Sequence, residues 1–178
     1  KFKYSLLFVG NLIKAKGVFE LIEAFNEIIN IYGDIGLYIV GEGPQKNKLK
    51  KLCKEYNIRD KVIFTGRVPH KEVSDYMNLC DIFILPSYRE GMPTVMFEAL
   101  GCSKPIIITK VGGVEEVIKH KKNGYLINSK SKNDIIKAVK ELKENKLMYN
   151  NLSRNASKTI EKYTWENNAK KTISVYKN

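Results

Sequence analysis

Short apolar segments alternate with amphipathic segments along most of the chain. Residues 82–85 and 106–108 are apolar throughout, whereas Leu21, Phe25 and Ile28 recur at the spacing of one helix face. Strands that are apolar on both sides are typical of parallel sheets whose two faces are covered by helices. The pattern therefore predicts an α/β fold, a Rossmann-like doubly wound parallel sheet of about six strands with helices on both faces.

The predicted elements fill the chain without a visible boundary between domains. Strands are predicted at residues 4–9, 37–40, 62–64, 82–85, 105–108 and 124–127. Helices are predicted at residues 18–31, 44–56, a short stretch that opens at 69–70, 94–100 and 114–119, with a helical C-terminal tail at 132–144, 146–161 and 165–176. The 178 residues suffice for one sizeable core, so we expect a single domain spanning residues 1–178.

The positive charge of the chain is concentrated in its last third. The formal net charge is +12, and residues 119–178 hold 15 of the 31 basic residues but only 5 of the 19 acidic ones. Such a surface can attract nucleic acid or an anionic membrane. The excess is nearly all lysine rather than arginine, the better phosphate ligand, which favours a solvated surface. Weak association with a membrane surface stays open, and we expect no nucleic-acid partner.

The cysteines and histidines are too scattered to predict a disulfide framework or a metal site. Cys53, Cys80 and Cys102 form no C-x-x-C pair, and the two histidines lie 50 residues apart. An odd number of widely spaced cysteines predicts buried free thiols in a cytoplasmic protein, with a membrane-peripheral location as the alternative. No apolar run approaches the roughly 20 residues that a membrane-spanning helix needs.

The loops that follow the predicted strands are the expected place for a ligand. Right-handed crossovers bring the carboxyl ends of parallel strands to one edge, and ligands bind outside that edge. Residues 10–17, after the first strand, combine glycine with Lys16 and lead into a helix N-terminus, which favours an anion. Residues 66–70, after the third strand, could offer backbone groups to a flat base. Both loops could equally be plain glycine turns, and His70 is more readily explained as a surface residue than as a general base.

The loop after the fourth strand carries two carboxylates with seven residues between them. Glu90 precedes the predicted helix and Glu98 lies just over one turn inside it, so they flank its N-terminus rather than share one face. The residues that offer amide groups between them are Gly91, Met92, Thr94 and Val95. This arrangement suits a nucleoside diphosphate sugar, with phosphates at the helix N-terminus and the carboxylates on the ribose and the sugar. Alternatively, Glu98 is an ordinary surface glutamate.

These motifs, taken together, resemble those of a known family. Residues 90–98 match the E-x7-E element of retaining GT-B glycosyltransferases, specifically of family 4. The stretches that resemble its G-R-L-x-x-x-K-G loop, its V-G-x-G-P turn, its F-x-G-x-V strand end and two later segments are 9–17, 40–44, 64–68, 105–117 and 123–126. The resemblance is close over residues 4–130 and loose in the helical tail. It implies the C-terminal, donor-binding domain of a GT-B enzyme.

The resemblance implies a role for each position of the predicted site. Lys16, in one loop with Gly10 and Asn11, would bind the donor diphosphate. Val68 would contact the base through its backbone, and Glu98 would hold the ribose hydroxyls. The other donor-binding positions, whose backbone would cradle phosphate and sugar, are Gly91, Met92, Pro93, Thr94 and Val95.

Glu90 is the predicted catalytic residue, because the resemblance places it against the donor sugar near the reacting carbon. Family members retain the anomeric configuration and generally need no metal, so we expect neither a metal nor a cofactor. The donor would be a UDP-, GDP- or ADP-sugar. One departure concerns Asn11, which stands where the family often has arginine. A neutral amide binds diphosphate more weakly than a guanidinium, so Lys16, helped by Lys14, would carry more of the charge compensation.

The resemblance also implies a second domain that this chain lacks. GT-B enzymes bind the acceptor, here a glycan or a lipid, in a separate N-terminal domain and react in the cleft between the two. Because the chain starts almost directly with a strand and has no initiator methionine, we expect a piece of a longer protein that transfers little sugar alone. Two alternatives stay open, an epimerase-like enzyme that acts on nucleotide sugars and a nonenzymatic binding module that uses the basic tail.

Overall fold

A computed structural model describes residues 2–164 together with residues 167, 169, 173 and 176. Its strands are β1 (Tyr4–Val9), β2 (Ile35–Val40), β3 (Val62–Gly66), β4 (Ile82–Leu85), β5 (Ile106–Thr109) and β6 (Tyr125–Ile127). Its helices are α1 (Val18–Tyr32), α2 (Lys46–Glu55), α3 (His70–Leu79), α4 (Thr94–Gly101), α5 (Val114–Val117), α6 (Lys132–Glu144) and α7 (Lys146–Ile160). The predicted tail helix at 165–176 lies mostly outside the described residues.

The six strands form one parallel sheet in the order β3-β2-β1-β4-β5-β6. The chain moves outwards from β1 to β3, crosses back to β4 on the other side of β1, and then moves outwards to β6. Such a sheet has its topological switch point between β1 and β4, where ligands of doubly wound folds bind. The predicted Rossmann-like fold is therefore confirmed.

Helices cover both faces of the sheet because its strands are apolar on both sides. On one face α1 packs against α2 and α6, and on the other α4 packs against α3 and α7. Strands β2, β4 and β5 are buried at every position, which explains why their sequences show continuous apolar runs rather than alternation. The buried side chains of all layers form a single hydrophobic core.

Several predicted boundaries differ from the structure by one or two residues, and two of these differences have a clear local reason. Strand β2 begins at Ile35 rather than at residue 37, because Gly36 pairs with Ser5 of β1 and leaves room for the ring of Phe2. Helix α5 ends at Val117 rather than at residue 119, because the Asn123 side chain accepts a hydrogen bond from the Lys119 amide and bends the chain towards β6.

The membrane prediction can be compared with the helices directly. In the part of the chain that the structure describes, no helix is both long and apolar enough to cross a bilayer.

All three cysteines are free thiols, and two of them are enclosed by the core. Burial raises the pKa of Cys53 to about 11 and that of Cys80 to about 12. Burial also raises the pKa of the half-buried Cys102, against the opposing effect of the Lys104 ammonium. Because the thiolate is the reactive form, all three thiols should be slow to react in the native protein.

We expect Cys102 to react first with a thiol reagent at about pH 8, and Cys53 and Cys80 to react only when the chain unfolds. A colourimetric disulfide reagent should report one slow thiol in buffer and all three in denaturant. The Cys102→Ser variant serves as the control, since it should show no native reaction. Equal rates for Cys53 and Cys102 would contradict the burial of Cys53.

Candidate functional site

The loops at the carboxyl edge of the sheet are linked to one another through their backbones. The Gly41 amide donates to the Gly66 carbonyl over 2.9 Å and joins the loops after β2 and β3. The Gly10 amide donates to the Val40 carbonyl over 3.0 Å and joins β1 to β2. These links form a continuous rim from β3 to β1, and the predicted site residues of this part of the edge are Gly10, Asn11, Lys16 and Val68.

The loop after β1 lies directly on the loop after β4. Gly17 adopts a left-handed conformation with φ of 67° between a short 3-10 turn at Lys14–Lys16 and the start of α1. A Cβ atom at this position would collide with the Pro86 carbonyl, so glycine is required for the close approach. The Tyr88 amide also donates to the Ala15 carbonyl over 2.7 Å. The two loops thus hold Lys16 against the β4 loop.

Lys16 and Glu90 form an ion pair at the switch point of the sheet. The Lys16 Nζ donates to Glu90 Oε1 over 2.6 Å, and the two side chains are only 24% and 10% exposed. Partial burial strengthens the attraction relative to an exposed pair. Sequence reasoning placed both residues at this edge but did not predict their contact. The pair thus brings together Lys16, predicted to bind the donor diphosphate, and Glu90, predicted to contact the donor sugar.

The N-terminus of α4 follows Glu90 and has free amide groups. Pro93 precedes the helix with an extended backbone, and no side chain caps the first turn. The amides of Thr94 and Val95 belong to the turn that lacks intrahelical partners, and Gly91 and Met92 are exposed in front of it. Pro93 is buried directly before the helix. Because proline has no backbone N–H, Pro93 cannot donate a hydrogen bond to a ligand.

Glu98 lies in the second turn of α4, and its side chain contacts the start of α3. Its Oε1 lies 3.2 Å from His70 Nε2, with Glu98 26% exposed and His70 86% exposed. Val68, two residues before His70, is half-buried at the same place. Val68 is thus two residues along the chain from the residue that Glu98 contacts, and the assignment of Val68 to the base and of Glu98 to the ribose stays a prediction. The sequence did not reveal the His70 contact, because it depends on how α3 packs against α4.

Gly10 and Asn11 complete the loop that carries Lys16. Gly10 is half-buried, and Asn11 is exposed at the same edge. The Asn11 carbonyl accepts the Ile13 amide over 2.9 Å, which shapes the turn before Lys16. Both residues thus lie in the loop that leads to Lys16, and a direct contact with diphosphate stays a prediction for each.

A pair of glycines after β5 supports the site and was given no role by the sequence. Gly112 has φ of 55°, and a Cβ on it would collide with the Glu90 carbonyl. The Gly113 amide donates to the Gly91 carbonyl over 2.8 Å. The β5 loop therefore buttresses the turn that holds Glu90. The adjacent glycines in the sequence were a signal for such a close approach.

Metal-binding groups were also compared with the sequence prediction. Among the described residues, no three side chains of His, Cys, Asp or Glu are grouped in a way that could hold a metal ion.

Comparison with known proteins identifies the family to which this site belongs. Residues 2–159 match the family of glycosyl transferases group 1. The chain belongs to this family. The glycosyltransferase MJ1607 of Methanocaldococcus jannaschii is 34% identical over 173 residues, which cover 97% of this chain and 44% of the relative. The chain thus spans less than half the length of this glycosyltransferase.

Solved structures of glycosyltransferases share the fold. The C-terminal domain of the glycosyl transferase group 1 family protein LpcC from Francisella tularensis is 26% identical, with a TM-score of 0.86 over 92% of this chain and 88% of that chain. Anabaena HepE in complex with UDP-glucose is 22% identical, with a TM-score of 0.83 over 97% of this chain and 49% of that chain. These matches confirm the predicted likeness to the C-terminal domains of GT-B glycosyltransferases.

Proposed function

We propose that this chain binds a nucleoside diphosphate sugar and that the full-length protein transfers the sugar to an acceptor with retention of its anomeric configuration. The proposal rests above all on the 2.6 Å pair of Lys16 and Glu90 at the switch point, next to the uncapped N-terminus of α4. Family membership supports sugar transfer over the epimerase-like and nonenzymatic alternatives.

The diphosphate of the donor would lie between Lys16 and the start of α4. An anion there gains from the lysine charge and from the amides of Thr94 and Val95, which have no partners within the helix. Negative charge grows on the diphosphate as its bond to the sugar breaks. Donors held by the fold in advance stabilise that charge without reorganisation, which is the main electrostatic contribution expected of this site.

The nucleoside would lie towards α3. Glu98 can accept two hydrogen bonds from the ribose diol, and its position beside His70 keeps the carboxylate at the mouth of the cleft. Val68 would present its backbone to the base, whose identity, uracil, guanine or adenine, stays open. This orientation puts the base at the β3 side and the sugar at the β4 side.

Glu90 would orient the donor sugar near its reacting carbon. In the structure its carboxylate is held by Lys16, and a bound diphosphate would compete for the same ammonium group. Partial transfer of Lys16 to the phosphates would leave Glu90 free to accept hydrogen bonds from sugar hydroxyls. Glu90 is thus a positioning group for the sugar, and we do not assign it as a nucleophile.

The acceptor, a glycan or a lipid, would be held mainly by a further domain of the full-length protein and would face this chain across the cleft between them. The chain corresponds to 44% of MJ1607, so more than half of that relative lies outside the matched region. We place the reaction in the cytoplasm, since free thiols such as those of Cys53 and Cys80 are typical of reducing compartments.

A thermal-shift screen of the chain against UDP, GDP, ADP and their sugar conjugates tests the proposal. At a concentration of a hundred times its Kd, a ligand that binds only the folded state stabilises that state by about 2.7 kcal/mol. The nucleotide and nucleotide sugars of one base should therefore raise Tm clearly. Inorganic sulfate serves as the control for nonspecific anions. The chain alone should not transfer sugar, because proximity of donor and acceptor is missing. If no nucleotide raises Tm, the proposed assignment of the donor site is wrong.

A further inference from the structure

A cavity of about 690 Å³ opens beside the ion pair of Lys16 and Glu90. Three loops form it, those after β1, β4 and β6. Its lining residues are Lys14, Ala15, Tyr88, Arg89, Ser129 and Lys130. A cavity of this size accommodates a phosphorylated sugar or a lipid headgroup rather than a single small ion.

The lining carries three cations and no acidic residue. Within the described part of the chain, Lys14, Arg89 and Lys130 have no carboxylate oxygen within 4.0 Å, although seven such pairs occur elsewhere. Three like charges gathered around one cavity repel one another, and an anion in the cavity relieves that repulsion. The electrostatics of the cavity therefore favour an anionic ligand.

Lys130 is held towards the cavity by local structure. Its backbone is in the left-handed region with φ of 59°, which is uncommon for a residue with a side chain. Its Nζ lies 5.2 Å from the centre of the Tyr88 ring, within cation–π range. The Tyr88 hydroxyl donates to Glu20, so the ring is fixed as a wall while its hydroxyl is already used. Lys130 is exposed, so its ammonium group stays accessible to a ligand while the Tyr88 ring holds it at the mouth of the cavity.

The cavity adjoins the reacting end of the proposed donor but not its nucleotide. Its lining contains the immediate neighbours of Lys16 and Glu90, namely Ala15 and Arg89. It contains no residue of α3 or α4, where the proposed ribose and base positions lie. A ligand in the cavity would thus approach the donor sugar from the side opposite the nucleoside.

We propose that this basic cavity binds a phosphoryl group carried by the acceptor. The inference rests on the proposed function and adds to it a class of acceptor, one that bears a phosphate close to the reacting hydroxyl. The Arg89 guanidinium can bind phosphate oxygens in pairs, and Lys14 and Lys130 add point charges. The Ser129 hydroxyl adds a further hydrogen-bond donor. The phosphate can belong to a soluble sugar phosphate or to a phospholipid, which share this chemistry.

The test compares two double variants that remove the same charge. Arg89→Gln with Lys130→Gln removes two cations of the cavity, and Lys48→Gln with Lys140→Gln removes two exposed lysines far from it. Binding of glycerol 3-phosphate is measured by calorimetry with the nucleotide from the thermal-shift screen present at saturation. Binding to phosphatidylcholine vesicles with and without phosphatidic acid is measured by co-sedimentation.

We expect the cavity variant to lose about tenfold or more in affinity for glycerol 3-phosphate, for phosphatidic acid vesicles or for both, while the control keeps its affinity. If the cavity variant loses affinity only for glycerol 3-phosphate, the acceptor carries a soluble phosphate. If it loses affinity for the phosphatidic acid vesicles, the acceptor is a lipid. The proposal is overturned if the wild-type chain binds neither probe, or if both double variants weaken binding equally. It is also overturned if the cavity variant weakens nucleotide binding as much as phosphate binding.

The outcome is separable from that of the proposed function. Failure of the donor site would appear as the absence of nucleotide binding in the wild-type chain. The phosphate measurement would then be made without nucleotide, and the comparison of the two double variants would still report on the cavity.

Discussion

Replacing Glu98 by alanine should weaken nucleotide binding by about tenfold or more while leaving Tm unchanged. The carboxylate would accept two hydrogen bonds from the ribose diol, and charge-assisted hydrogen bonds of this kind contribute about 1.5–3 kcal/mol each. The side chain is partly exposed, and among the residues that the structure describes its one polar contact is with the exposed His70. Its loss should therefore affect binding rather than folding.

Isothermal titration calorimetry with the nucleotide found in the screen measures this effect. Glu55→Ala is a matched control, because Glu55 is an exposed glutamate at the end of α2, away from the carboxyl-edge rim. Glu98→Gln should fall between the wild type and Glu98→Ala, since an amide keeps one acceptor oxygen but loses the charge. Equal affinities for the wild type and Glu98→Ala would rule out the ribose assignment.

Gly17→Ala should destabilise the fold by about 3 kcal/mol, a larger effect than most single substitutions have. The residue has φ of 67°, and the added Cβ would collide with the Pro86 carbonyl, a backbone atom that cannot rotate away. In a chain of this size about 3 kcal/mol corresponds to a fall in Tm of roughly 6–12 °C. Displacement of the β1 loop should also separate Lys16 from Glu90 and weaken nucleotide binding.

Gly33→Ala is a control for backbone strain without a collision. Gly33 also has a positive φ, 68°, although its ψ is −59° where that of Gly17 is 24°, and a Cβ on it would meet no atom within 4 Å. The control should lose about 1–3 kcal/mol, the cost of a sparsely populated backbone conformation. Urea denaturation of both variants gives the two free energies of unfolding. A loss of only about 1–2 kcal/mol in Gly17→Ala, which the left-handed backbone alone explains, would show that the approach of the β1 and β4 loops does not require glycine.

Much of the fold could be predicted because the apolar pattern alone determines it. The continuous apolar runs of β4 and β5 indicated buried parallel strands, and a doubly wound sheet then had to place the loops of Lys16 and Glu90 at one edge. The start of β2 was missed because Gly36 interrupts the apolar pattern, and its lack of a side chain leaves room for the ring of Phe2.

The detailed contacts of the site could not be predicted, since they join segments that are distant in the chain. The Lys16–Glu90 pair depends on the approach of two loops at Gly17, and the His70–Glu98 contact depends on the packing of α3 on α4. The basic cavity needs Lys130, which reaches it only through the position of β6 beside β5. Spacing along the sequence does not show which side chains of different loops or helices come into contact.

The rim of the site has a consequence for how such a domain can diversify. Backbone hydrogen bonds, such as those of Gly41 with Gly66 and of Tyr88 with Ala15, join its loops, and glycines permit their close contact. Exchange of the side chains that project from this rim leaves these backbone hydrogen bonds intact. Asn11, which is exposed on this rim, is one position where such an exchange can occur. Point mutations of those side chains can therefore change what the rim binds while the backbone frame keeps its shape.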